Sequence, residues 1–130
     1  MQEKTKSYQD IKIMNLFISD DSPVVRVRLS HIINELKNVN IIGEAENVQN
    51  SITLIEELKP DIVILDISMP GGSGIDVLRN IREKYLHTKV IILTNYSFPQ
   101  YRKICMDSGA DYFFDKSNEF DKVVDVLKEL

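Results

Sequence analysis

Residues 61–66 read Asp-Ile-Val-Ile-Leu-Asp. Side chains of a strand alternate between its two faces, so four apolar residues in succession need cover on both sides. A parallel sheet with helices packed on each face provides that cover, and the rest of the sequence repeats the required pattern. Apolar runs at 11–19, 40–45, 88–94 and 110–115 read as further strands. The segments between them have helical spacing. After Pro23, the residues Val25, Leu29, Ile32 and Leu36 form one stripe, and 47–60 form a second helix ending at Pro60. Residues 74–85 carry Ile75, Leu78 and Ile81, 99–109 close at Gly109, and 118–130 carry Phe120, Val123, Val124, Leu127 and Leu130. Five strand–helix alternations predict an α/β fold, a doubly wound parallel sheet of five strands with five helices.

Bulk properties narrow the function classes. The 130 residues suffice for one domain with a true core, and 43% apolar with 28% charged residues describe a globular chain. The polar start at residues 1–10 reads as a flexible leader, with the domain running from 11 to 130. No apolar run approaches the ~20 residues of a membrane-spanning helix. A net charge of −4 argues against a nucleic-acid-binding surface. The single cysteine, Cys105, excludes an internal disulfide framework and a cysteine-rich zinc site. It favours a reducing compartment, so a cytoplasmic location is expected.

In a parallel α/β sheet every strand delivers its carboxyl end to the same edge, where ligands bind. Asp20 and Asp21 end the first strand, Asp66 the third, Thr94 the fourth, and Asp115-Lys116 the fifth. Clustered carboxylates repel unless a cation sits among them, and an all-oxygen set suits a hard ion such as Mg2+. Thr94 and Lys116 supply donors for a phosphoryl group, and a carboxylate can serve as nucleophile; Asp66, ending the central apolar strand, is the candidate. Each residue has a plainer reading taken alone. Asp66 could be a turn residue, Asp20 or Asp21 a helix cap, Thr94 a strand end and Lys116 a solvated lysine. Their convergence on one edge favours the site.

These features together resemble the receiver domain of bacterial two-component response regulators. The resemblance rests on SDDSPVVR, PDIVILDISMPGGSGIDVL, VIILT and GADYFFDKS, in that order, and covers nearly all of 11–130. It implies a flavodoxin-like strand order 2-1-3-4-5. It implies a phosphoryl group taken by Asp66 from a histidine kinase or phosphotransfer protein. Mg2+ would be held by Asp21, Asp66 and the Ser68 carbonyl, with Asp20 acting mainly through metal-bound water. Thr94 and Lys116 would bind the phosphoryl oxygens, and Thr94 and Phe113 would form the switch that changes a partner-binding face. Such a domain transfers a phosphoryl group only to itself and is no conventional enzyme. The downstream output partner is unidentified, and a homodimer is left open. So is the choice between a stand-alone receiver and part of a longer regulator.

Three positions depart from the usual pattern. Asn95 follows Thr94 where a small residue is common, which would narrow access to the phosphoryl group. Ser117 replaces a frequent proline, as in the subfamily often joined to helix-turn-helix outputs. Asp115 stands where a hydrophobic residue is usual, and either pairs with Lys116 or faces solvent. Two alternatives remain: a degenerate receiver that docks partners without phosphorylation, and an aspartyl-nucleophile phosphatase. The latter wants a general acid two residues after the nucleophile, where this chain has Ser68. His31, His87 and Cys105 are assigned no chemistry. Tyr96, Phe98 and Tyr101 read as a partner surface, a lid or core. The MPGGSG stretch lacks the Lys-Ser/Thr of a nucleotide P-loop.

Overall fold

The computed structural model describes residues 12–85 and 87–130; the leader expected at 1–10 lies outside the described residues. The elements run β1 (Met14–Ser19), α1 (Pro23–Ile33), β2 (Val39–Ala45), α2 (Val48–Leu58), β3 (Ile62–Leu65), β4 (Ser68–Met69), β5 (Gly72–Ser73), α3 (Gly74–Lys84), β6 (Lys89–Thr94), α4 (Pro99–Asp107), β7 (Tyr112–Asp115) and α5 (Phe120–Glu129). The main sheet has five parallel strands in the order β2-β1-β3-β6-β7. With the small β4-β5 hairpin set aside, that is the expected 2-1-3-4-5 winding. No helix among the described residues is long and apolar enough to cross a membrane.

Alternation along the central strands divides the core. Leu16, Ile18, Ile62, Ile64, Ile91 and Leu93 face α1 and α5, packing with Leu29, Ile33, Val123 and Leu127. Phe17, Val63, Leu65, Val90 and Ile92 face the other way, against Ile55, Val77, Leu78, Ile81 and Cys105 of α2, α3 and α4. The run at 62–65 is therefore covered on both faces, as its composition demands. The start of α1 is set by Ser22, whose Oγ accepts the Val25 N–H at 3.2 Å, with Pro23 in the first turn. Asp20 and Asp21 are thus not the cap.

The sequence reading contains no β4-β5 hairpin. Two-residue strands carry too little periodicity to be seen, and the hairpin depends on Gly71 and Gly72 at φ +86° and +140°. Directly after it, Gly74 opens α3 against the Asp66 backbone. A Cβ there would lie 1.8 Å from the Asp66 carbonyl oxygen, while the Gly74 N–H donates to the Ile67 carbonyl at 2.7 Å. A capping box between Ser73 and Asp76 closes the same helix end. Gly74→Ala should cost about 1–3 kcal/mol, because backbone rather than a flexible side chain must yield. Urea unfolding of the variant checks this; an unchanged midpoint would refute the tight approach.

Candidate functional site

Backbone hydrogen bonds carry the sheet one residue past its strands and fix the edge. Asp66 N–H donates to the Ser19 carbonyl at 2.9 Å, Asp20 N–H to Ala45 at 3.0 Å and Lys116 N–H to Thr94 at 3.0 Å. Asp20 and Asp66 are buried, at 2% and 4% exposure, while Asp21 is exposed. Lys116 reaches between the buried pair, its Nζ 2.8 Å from Asp20 Oδ2 and 2.9 Å from Asp66 Oδ2. Asp20 Oδ1 accepts the Ser22 N–H at 2.9 Å. Asp66 Oδ1 is buried with no hydrogen-bond partner among the described residues. One carboxylate oxygen from each of Asp20, Asp21 and Asp66 lies within 4.8 Å of the others, an arrangement that could hold a metal ion.

The charges are unbalanced in a way that titration reflects. Burial raises the Asp20 pKa above its ordinary value, the nearby Asp66 adds to the rise, and bonds from Lys116 and Ser22 offset it only in part. Burial opposes the charge on Lys116, yet two carboxylates sharing it raise its pKa above the usual lysine value. One ammonium thus serves two carboxylates, and for Asp20 its pull does not outweigh the cost of burial.

The remaining sequence-selected residues occupy distinct places. Ser68 is exposed in the hairpin beside Asp66. Thr94 is fully buried, and its Oγ1 accepts the Tyr96 N–H at 3.1 Å rather than meeting Asp66. Phe113 does not join the acidic cluster. It is buried on the α4 side of the sheet, with the Arg102 guanidinium 4.8 Å above its ring. Asn95 is exposed. Tyr96, Phe98 and Tyr101 do cluster, with ring centroids 5.9 and 6.3 Å apart. Tyr96 and Tyr101 border a 290 Å³ pocket with Ile67, Ser68, Gly72 and Ser73. A larger cavity of 340 Å³, lined by Lys59, Asp61, Lys84 and Thr88, lies at the opposite edge of the sheet, away from this chemistry. His31 and His87 are exposed, and burial pushes the Cys105 thiol up to about 11, leaving it an inert core residue.

Two residues at this edge carry structure that the sequence reading misses. Arg26 donates from Nη1 to the Asp20 carbonyl at 2.8 Å and pairs with Glu44 at 3.1 Å, tying the acidic turn to β2. Its placement six residues after Asp20 is the only signal in the sequence, and it is weak. Asp115 follows neither expected course. Its Oδ2 accepts the Ser97 hydroxyl and its Oδ1 the Ser117 N–H at 2.7 Å. The Ser97 hydroxyl and the Ser117 N–H hold its carboxyl below the usual range.

The family profile "Response regulator receiver domain" matches residues 16–128. The chain belongs to that family, the receiver domains of two-component response regulators. It is 30% identical over 115 residues to the nitrate/nitrite response regulator protein NarL of Escherichia coli K12, covering 88% of this chain and 52% of the relative. It is 31% identical over 116 residues to the DNA-binding transcriptional activator EvgA of the same strain, covering 88% and 56%. A crystal structure of a DNA-binding response regulator of the LuxR family from Staphylococcus aureus superimposes with a TM-score of 0.83 at 32% identity, covering 90% of this chain and 98% of that one. The chain spans about half the length of the curated relatives it matches.

These relatives correct the expectation for partners. The sequence reading has no nucleic-acid partner and an unidentified output, whereas EvgA and the Staphylococcus aureus regulator are named as DNA-binding proteins. The physical reason is simple: a net charge of −4 describes the surface of these 130 residues and nothing beyond them.

The raised Asp20 pKa has a consequence for stability. The folded chain holds this proton more tightly than the unfolded chain, so the group's contribution is complete below the ordinary value of 3.8 and is lost as pH rises through the raised value. Asp20→Asn, which keeps an acceptor for Ser22, should therefore be more stable than wild type at pH ~7 without metal, with the gain fading toward pH ~4. Urea melts across that range test it; a variant less stable at every pH would show that the Lys116 pair dominates.

Proposed function

We propose that this chain is a phosphoacceptor receiver in which Asp66 takes a phosphoryl group from a phosphohistidine donor. The observation that carries the reading is Asp66 Oδ1, a buried carboxylate oxygen with no partner, beside an oxygen cluster that could hold a divalent ion. An unpartnered buried acceptor is costly, and a metal ion or an incoming phosphorus gives it something to bind. Asp21 and Asp66 fit direct metal ligation, with Asp20 acting through water and the Ser68 carbonyl completing the set. Mg2+ suits such a site, since it retains several waters and needs one or two carboxylates. When bound, it would neutralise charge on the phosphoryl oxygens.

This chain's own residues have complementary work. Lys116 is already at Asp66 Oδ2, where its ammonium would follow the phosphoryl oxygens. Attack by an Asp66 oxygen on phosphorus forms the acyl phosphate and releases the donor imidazole. Thr94 would leave Tyr96 to bond a phosphoryl oxygen, and Phe113 with its Arg102 cover would repack the α4–β7–α5 face. In the whole regulator this change would govern DNA binding, the activity for which EvgA and the Staphylococcus aureus protein are named.

Asp66→Ala should abolish labelling by acetyl phosphate while the fold persists by circular dichroism. Undiminished acid-labile labelling of that variant would sink the assignment. Mg2+ should raise the melting temperature of wild type, by linkage to the folded state, and Asp21→Asn should weaken its binding at least about tenfold by calorimetry. Equal affinities would remove Asp21 from the ligand set.

A further inference from the structure

Thr94 ends β6 and Lys116 follows the end of β7, so each stands where a loop leaves the sheet, and the two loops are neighbours. Their strands pair in register, Thr94 opposite Asp115. The Asp115 side chain bonds both loops at once. Oδ2 accepts the Ser97 hydroxyl from the β6–α4 loop, and Oδ1 accepts N–H groups of Ser117 at 2.7 Å and Asn118 at 3.4 Å from the β7–α5 loop. Glu119 braces the junction, accepting the Asp115 N–H at 3.0 Å through Oε1. In this arrangement Thr94 Oγ1 is engaged by Tyr96, the residue just before Ser97, and Asp66 Oδ1 has no partner.

We propose that Asp115 is a positioning residue that latches the Thr94 loop through Ser97 and holds it away from the phosphoryl site. The proposal rests on the phosphoacceptor reading of Asp66. For Thr94 to reach a phosphoryl oxygen, the segment from Asn95 to Ser97 must shift, and the Ser97–Asp115 bond opposes that shift. A ligand that needs the shifted loop binds with an affinity reduced by the fraction of molecules already shifted. A hydrogen bond to a carboxylate is among the stronger ones, so its loss should move that fraction measurably. Asp115 can do this without touching the substrate, and its bond to Ser117 ties the restraint to the loop that carries Lys116.

The test is the affinity of this chain for beryllofluoride with Mg2+, followed by fluorine NMR, with melting temperature read in parallel. Ser97→Ala removes the latch and leaves the Asp115 bond to Ser117, so it should bind beryllofluoride at least about fivefold more tightly than wild type. Ser97→Thr keeps a hydroxyl and should restore the wild-type affinity. A double-mutant cycle with Asp115→Ala should show that the two changes are strongly non-additive. Unchanged or weaker binding by a folded Ser97→Ala chain overturns the latch. If that variant does not fold, Asp115→Ser, which retains a hydroxyl for the turn, is read by the same criterion. No binding by wild type, or full binding by Asp66→Asn, overturns the phosphoacceptor reading itself and the latch with it.

Discussion

One ammonium held between two buried carboxylates governs this site. Lys116 lies within 3 Å of both Asp20 and Asp66, and its ammonium is the cation that offsets the cost of burying them. The position of Lys116 depends on β7 pairing with β6. That of Asp66 depends on β3 lying between β1 and β6, and that of Asp20 on β1 lying beside β2. The sheet order is thus what brings three charges from remote parts of the sequence to one point. The core on its two faces supplies the rigidity that keeps them there despite their mutual repulsion.

The same imbalance leaves groups at the edge unsatisfied. A single cation shared by two carboxylates leaves Asp20 with a raised pKa and Asp66 with one oxygen unpartnered. A fully satisfied network would be more stable and inert. The chain belongs to the receiver-domain family, and the relatives it matches are about twice the length it spans.

The architecture was legible because it follows from periodicity. Ile62 to Leu65 demanded cover on both faces, and the helical stripes provided it. The convergence of Asp20, Asp21, Asp66, Thr94 and Lys116 was legible because strand direction alone sends them to one edge. What could not be read depends on side-chain direction. Asp115 and Lys116 are sequence neighbours, yet adjacent strand residues point oppositely, so Lys116 turns into the acidic cluster while Asp115 turns toward Ser97. The Arg26 bond to the Asp20 carbonyl and the closeness of Gly74 to Asp66 depend on the approach of two elements, which no local pattern encodes. The partner expectation failed for a different reason, since a charge count reports only on the residues counted.

The contact at Gly74 makes the two flanks of Asp66 mechanically unequal. On one flank, backbone meets backbone with no room for a methyl group, and α3 begins with a closed capping box. On the other, α4 begins at Pro99, the preceding Phe98 makes no side-chain capping bond, and the entry loop exposes Asn95, Tyr96 and Phe98. Load applied at Asp66 therefore meets a stiff abutment on the α3 side and a compliant one on the α4 side. Displacement follows the softer support, so the direction in which a change at this carboxylate can travel is set by one missing Cβ on the far side of it.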